Sequence, residues 1–199
     1  MSQLETVILR LLHKEGVVRA REMEALGLSR AGIARLLDQG VIRRVGRGLY
    51  ARPNRELPAN YALATAAKRV PRGVVCLLSA LQFHGLTTQL PCEVWLAIGE
   101  KDGRPTLDEV RMRTVRFSPL ALREGVEMHR IDGVRVRIFN PAKTVADCFK
   151  YRNKLGLDVA IEALRDCLRQ RKCTVDDLWR YAKVDRVSAV MRPYMEALA

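Results

Sequence analysis

The chain has 199 residues, 48% of them hydrophobic, with 35 Lys+Arg against 22 Asp+Glu and a net charge of +13. That length allows one medium domain or a small domain plus a larger one, and so much apolar content excludes wholesale disorder. A protein this basic usually meets an anionic partner, most often nucleic acid.

In chain order, Leu4, Val7, Ile8, Leu11 and Leu12 recur at three and four residues, which predicts a helix over 3–14 ended by Gly16. Charges run through this apolar stretch and no small-residue cleavage site follows it, so it does not read as a signal peptide. Val17 and Val18 form a short extended step, and a second helix is expected over 20–26, closed by Gly27. Ser29 is a good N-cap for a third helix, SRAGIARLLDQG, with Ile33, Leu36 and Leu37 on its apolar face. VIRRV, a Gly-Arg-Gly turn and GLYAR then read as two strands of a hairpin. Helix, helix, turn, helix, hairpin is the order of a winged helix-turn-helix.

In that arrangement the third helix enters the DNA major groove and the hairpin reaches a phosphate or the minor groove. Ser29, Arg30 and Arg35 are the candidate DNA-binding residues of the helix, with Ala31, Gly32 and Ala34 small enough for close approach. Arg47 sits at the wing tip, Gly46 and Gly48 let the chain reverse, and Arg43, Arg44 and Arg52 flank it. Residues 1–55 hold 11 Lys+Arg against 5 Asp+Glu, a net +6, whereas residues 56–199 spread a net +7 over more than twice the length. Charge is densest where the DNA reader is expected.

Pro53, Asn54, Pro58 and Asn60 mark a boundary between residues 1–55 and a second domain, 56–199. A helix over 61–69 follows. The uncharged run GVVCLLSALQFHGLTTQLPC (73–92) has the length of a membrane span, but Ser79, Gln82, His84 and Pro91 break its apolarity and place it in a soluble core. EVWLAIG and VRMRTVRFS read as strands, and Asp132-Gly133 joins two more as a hairpin. The last sixty residues are helical: Pro141 opens one helix, Thr174 caps another with Asp176 and Asp177 in its first turn, and a last one is expected over 186–198. The fold class is α+β: a winged helix-turn-helix, then a small, mostly antiparallel sheet with several C-terminal helices.

An enzyme is not expected. Among His84, Glu93, Lys143, Asp147 and Lys150, no carboxylate cluster for a metal and no oriented nucleophile and base can be named by spacing. His84, beside Gly85 at a helix end, reads as a carbonyl cap. The spacing of Lys143, Asp147 and Lys150 lets them share one helix face, and Lys143 with Asp147 reads as a surface or half-buried ion pair. Cys76, Cys92, Cys148, Cys167 and Cys173 are odd in number and form no Cys-x-x-Cys, which points to free buried thiols in a reducing cytoplasm, not to zinc or a disulfide scaffold. No cofactor or metal is implied.

The GRGLY wing, SALQFHGLT (79–87), EVWLAI (93–98), RIFNPAKTVADCFKYRNKLG (137–156) and RVSAVMRPYMEAL (186–198) resemble the AbiEi family of type IV antitoxins. The resemblance spans nearly the whole chain, and PAKTVADCFKYR (141–152) is its most specific piece. It implies a two-domain bacterial protein of the cytoplasm. The first domain would bind double-stranded DNA, at inverted repeats in its own promoter, and repress it. The second would counteract a nucleotidyltransferase-like AbiEii toxin, without needing a stable complex. Lys143, Asp147 and Lys150 then become a toxin-neutralising surface or an architectural block. The alternatives are an orphan winged-helix regulator or, less favoured, a nucleic-acid-processing enzyme.

Overall fold

The structure, a computed structural model, describes residues 3–46, 48–53, 60–105 and 110–198. The wing-tip Arg47 and the boundary expected at 55/56 lie outside the described residues. The chain is α+β and divides into two compact units: Met1–Pro71, Pro105–Arg111 and His129–Val136 form one, and Arg72–Arg104, Met112–Met128 and Arg137–Ala199 the other.

The first unit contains α1 (Gln3–Glu15), β1 (Val17–Arg19), α2 (Ala20–Ala25), α3 (Arg30–Asp38), β2 (Arg43–Gly46), β3 (Leu49–Ala51) and α4 (Tyr61–Arg69). The three- and four-residue spacing of α1 turns Ile8 and Leu12 inward, where they meet Val18, Met23, Leu28, Ile33, Leu36 and Ile42 in one buried cluster. Each such side chain contributes about 1.5–3 kcal/mol on leaving water. The extended step at Val17 is a strand: β1 pairs antiparallel with β3, Val17 opposite Ala51, giving the order β1-β3-β2. Within the hairpin the register slips between Arg44 and Gly46, so Gly46 pairs with Leu49, and Gly48, at φ +69°, takes the left-handed turn conformation.

The second unit contains β4 (Val74–Val75), α5 (Leu77–His84), β5 (Val94–Gly99), β6 (Met112–Phe117), α6 (Pro119–Arg123), β7 (Val126–Ile131), β8 (Val134–Phe139), α7 (Pro141–Lys150), α8 (Arg152–Leu155), α9 (Leu157–Arg169), α10 (Val175–Asp185) and α11 (Ser188–Glu196), although the outer half of the β7–β8 hairpin groups with the first unit. Its sheet has the order β6-β5-β4-β8-β7. The pairing is mixed, not mostly antiparallel: β5 runs parallel to β6 and β4 parallel to β8, while β4 and β5 are antiparallel. Alternation within a strand reports which face is buried, but a parallel neighbour is set by chain crossovers that alternation does not encode.

α7 is the axis of this unit. The Asn140 side chain accepts the Lys143 backbone N–H at 2.8 Å, Pro141 supplies the first turn, and every residue from Ala142 to Phe149 is buried. α5, α9 and α10 pack around it, with Leu81, Leu164, Leu178 and Ala182 in the shared core. Thr174 caps α10 in a reciprocal box with Asp177. The uncharged run at 73–92 becomes β4, α5 and a loop. Among the described residues no helix is long and apolar enough to cross a membrane.

Candidate nucleic-acid interface

α3 shows one face to the core and one to solvent. Ile33 and Leu36 are buried, while Arg30, Ala31, Ala34, Arg35 and Asp38 are exposed. The Ser29 hydroxyl caps the helix, accepting the Gly32 N–H at 3.1 Å, so that oxygen is engaged locally. Gly32 is half-buried instead of outward: a Cβ there would come within 2.7 Å of Leu28 Cδ1. Its small size serves packing between the α2–α3 turn and α3. The two arginines of the exposed face are braced by acids. Arg35 donates to Glu5 at 2.9 Å and remains 59% exposed; Arg30 donates to Glu24 at 3.0 Å and is 91% exposed. Exposed pairs of this kind contribute at most about 1 kcal/mol and are readily exchanged for an anion.

The wing arginines differ from one another. Arg44 is exposed, with Nε donating to the Gly46 carbonyl at 3.3 Å. Arg43 is half-buried, and its Nε has no hydrogen-bond partner among the described residues. Arg52 is exposed and lines, with Thr6, Leu9, Arg10 and His13 of α1, a cavity of about 360 Å³. The first unit therefore brings Arg30 and Arg35 onto one helix face and Arg43 and Arg44 onto one hairpin.

Residues 7–53 match the family model described as "Transcriptional regulator, AbiEi antitoxin". The AbiEi match begins within α1 and ends just past the hairpin, so it covers the helix-turn-helix and the hairpin that follows it. No curated protein matches the chain in sequence. Among solved structures, the crystal structure of RV2827C protein from Mycobacterium tuberculosis superposes with a TM-score of 0.64 at 14% identity, covering 100% of this chain and 81% of that one. At that identity the likeness is one of fold.

Of the residues that the AbiEi resemblance singled out in the second unit, Lys143 and Asp147 are not the surface or half-buried pair expected from the sequence. Lys143 and Asp147 are both 0% exposed, so their ion pair is a core feature and neither side chain is on a surface; Lys150, 35% exposed, keeps contact with solvent. The sequence reading missed the third member. Asp185, at the end of α10, accepts from Lys143 Nζ at 3.1 and 3.2 Å, while Asp147 Oδ1 accepts from the same ammonium group. Lys150 Nζ stands 3.7 Å from Asp185. Phe117 and Phe139 present their ring faces to the Lys143 ammonium, with Nζ 5.1 and 4.7 Å from the centroids. Gly125, at φ +74°, lies so close to the Lys143 stem that a Cβ would meet it at 2.7 Å. Burial by itself lowers the Lys143 proton affinity, but the charges of Asp147 and Asp185 outweigh it and the net shift is upward. Burial pushes the Asp147 carboxyl up, Lys143 pulls it down and Asp185 pushes it up again; with one ammonium shared by two carboxylates, the net is well above the ordinary range.

His84 has a structural contact: its Nε2 is 2.7 Å from the Phe139 carbonyl, and its ring lies edge-on to Phe83. Cys92 is the exposed cysteine; Cys76, Cys148 and Cys167 are buried and Cys173 is half-buried. Among the described residues no group of three His, Cys, Asp or Glu could hold a metal ion.

Proposed function

We propose that this protein represses its own promoter by binding inverted repeats in double-stranded DNA, and that it also counteracts a nucleotidyltransferase-like toxin. The observation that carries the first part is the exposed face of α3, with Arg30 and Arg35 beside two small alanines, in a segment matching AbiEi regulators. α3 lies in the major groove in this reading. Arg35 exchanges Glu5 for a base edge or a phosphate, Arg30 and the Ser29 backbone approach the strand, and Arg43, Arg44, Arg47 and Arg52 hold phosphates. A mobility-shift titration of the upstream fragment against random DNA tests it. Specific binding that weakens by orders of magnitude between low and moderate salt is expected; salt-insensitive binding, or no preference for the upstream fragment, refutes it.

The antitoxin part rests on the AbiEi description and on the second unit's separate core. Residues 56–199 act on the toxin in this reading, and Lys150 is the member of the Lys143, Asp147 and Lys150 set that a partner can touch. The full-length chain carrying Arg35→Ala and Arg44→Ala, expressed with a neighbouring nucleotidyltransferase-like toxin from independent promoters, should rescue growth without binding DNA. Death of cells that hold abundant, folded variant would favour a regulator with no antitoxin role.

A further inference from the structure

Beside the wing, the first unit holds a second cavity, of about 210 Å³. Arg19, Arg21, Gly48, Leu49, Lys68 and Arg69 line it. Two of the carboxylates nearby are turned toward Lys68. Glu15 accepts from its ammonium group at 2.9 Å and Glu22 at 2.8 Å, and Glu22 also accepts the Arg19 backbone N–H at 2.7 Å. Two acids thus surround a lysine that is 8% exposed, and Arg19, Arg21 and Arg69 bring three further positive charges to the same cavity. These charges press on one another. Burial first, then the charges of Arg21 and Arg69, reduce the Arg19 proton affinity against the opposing pull of Glu22.

Size and position narrow the ligand. Sites for drug-sized organic molecules run to about 300–1,000 Å³, so this cavity suits a single small anion group and not a cofactor. Guanidinium forks match the paired oxygens of a phosphate. The wing turn forms one wall, because the Gly48 carbonyl accepts the Ala20 N–H at 2.9 Å. The cavity therefore adjoins the hairpin proposed to meet DNA.

We infer that this cavity binds a phosphate group between Arg19, Arg21 and Arg69, and that the group is a backbone phosphate of DNA passing beside the wing. The source of the phosphate rests on the DNA-binding reading; the chemistry of the pocket does not. The test uses the full-length protein and its Arg21→Gln/Arg69→Gln variant, with a short random-sequence duplex titrated from about 50 to 200 mM salt. The log–log salt slope should flatten by roughly 2, at about 0.9 for each lost contact, and low-salt affinity should fall roughly tenfold. Arg21→Gln alone, at an exposed position, should flatten the slope by about 1 and covers the case of a double variant that fails to fold. A second arm melts each protein in inorganic phosphate against chloride of equal ionic strength. Phosphate stabilisation that the variants lose, with an unchanged DNA slope, would keep the phosphate pocket and overturn DNA as its source. An unchanged slope with no variant-dependent phosphate effect overturns the inference. If the unmodified protein binds no duplex, the DNA-binding reading fails, and the phosphate arm alone decides the pocket.

Discussion

Lys68 of α4 and Lys143 of α7 each meet two carboxylates, and the surroundings make the two clusters different in kind. At Lys68 the acids are Glu15 and Glu22, 27% and 35% exposed, and the surplus charge in the neighbouring cavity is positive. At Lys143 the acids are Asp147 and Asp185, both fully buried, with aromatic faces and a glycine closing the remaining sides. Water can re-solvate the first cluster when it is broken, but it cannot reach the second. Two lysines with the same number of carboxylate partners therefore differ in kind: one cluster stays open to water beside a surplus of positive charge, and the other is closed into a core.

The strongest way to break the comparison is Lys143→Ala. It strands two carboxylates in the core, and urea unfolding should show a loss of about 3–5 kcal/mol, reduced only in so far as Lys150 can move toward Asp185. A loss under about 1 kcal/mol would mean that the cluster is not charged. Asp147→Asn sharpens the same point through pH. A carboxyl whose folded-state proton affinity is raised stabilises the fold at pH below its unfolded value and loses that contribution as pH climbs through the folded value. The unmodified protein should therefore melt at falling temperature as pH rises from about 4, and Asp147→Asn should remove that slope. The raised affinity of Lys143 acts at the other end: its contribution is present below about pH 10.5 and is lost above.

Lys68→Ala should cost less, about 1–2 kcal/mol, because Glu15 and Glu22 regain water. The smallest stability effect belongs to the exposed face. Arg35→Ala should change unfolding by no more than about 0.5 kcal/mol, since its pair with Glu5 is open to solvent. Its expected effect is on DNA: a loss of about 1–3 kcal/mol in discrimination between upstream and random duplex if Arg35 reads a base, and equal losses on both if it holds a phosphate. Paired unfolding and binding curves for Lys143→Ala and Arg35→Ala would then separate core charge from recognition charge in one experiment.

Local chemistry made much of this legible. Leu4, Ile8, Leu11 and Leu12 announce α1 because a helix returns a side chain to the same face every three or four residues. Ser29, Asn140 and Thr174 announce helix starts because each satisfies backbone N–H groups within three residues. Asp132-Gly133 announces a hairpin because both residues tolerate positive φ, here +49° and +78°. These signals span a few residues, so the sequence by itself determined most of the helices, the hairpins and the concentration of arginine around α3 and the wing, while the short α6 and α8 carried no such signal. Only the tertiary structure decided the rest. The parallel partners of β5 and β4, the Asp185 carboxylate that meets Lys143 across 42 residues, and the cavity assembled from β1, α2, the wing and α4 all join distant parts of the chain. Asp147 and Lys150 lie four and seven residues from Lys143 on one helix, yet one is in the core and the other at its edge. Spacing sets which side chains share a face; what that face packs against, and hence whether its charges stabilise the core or meet a ligand, is set by the chain that folds over it.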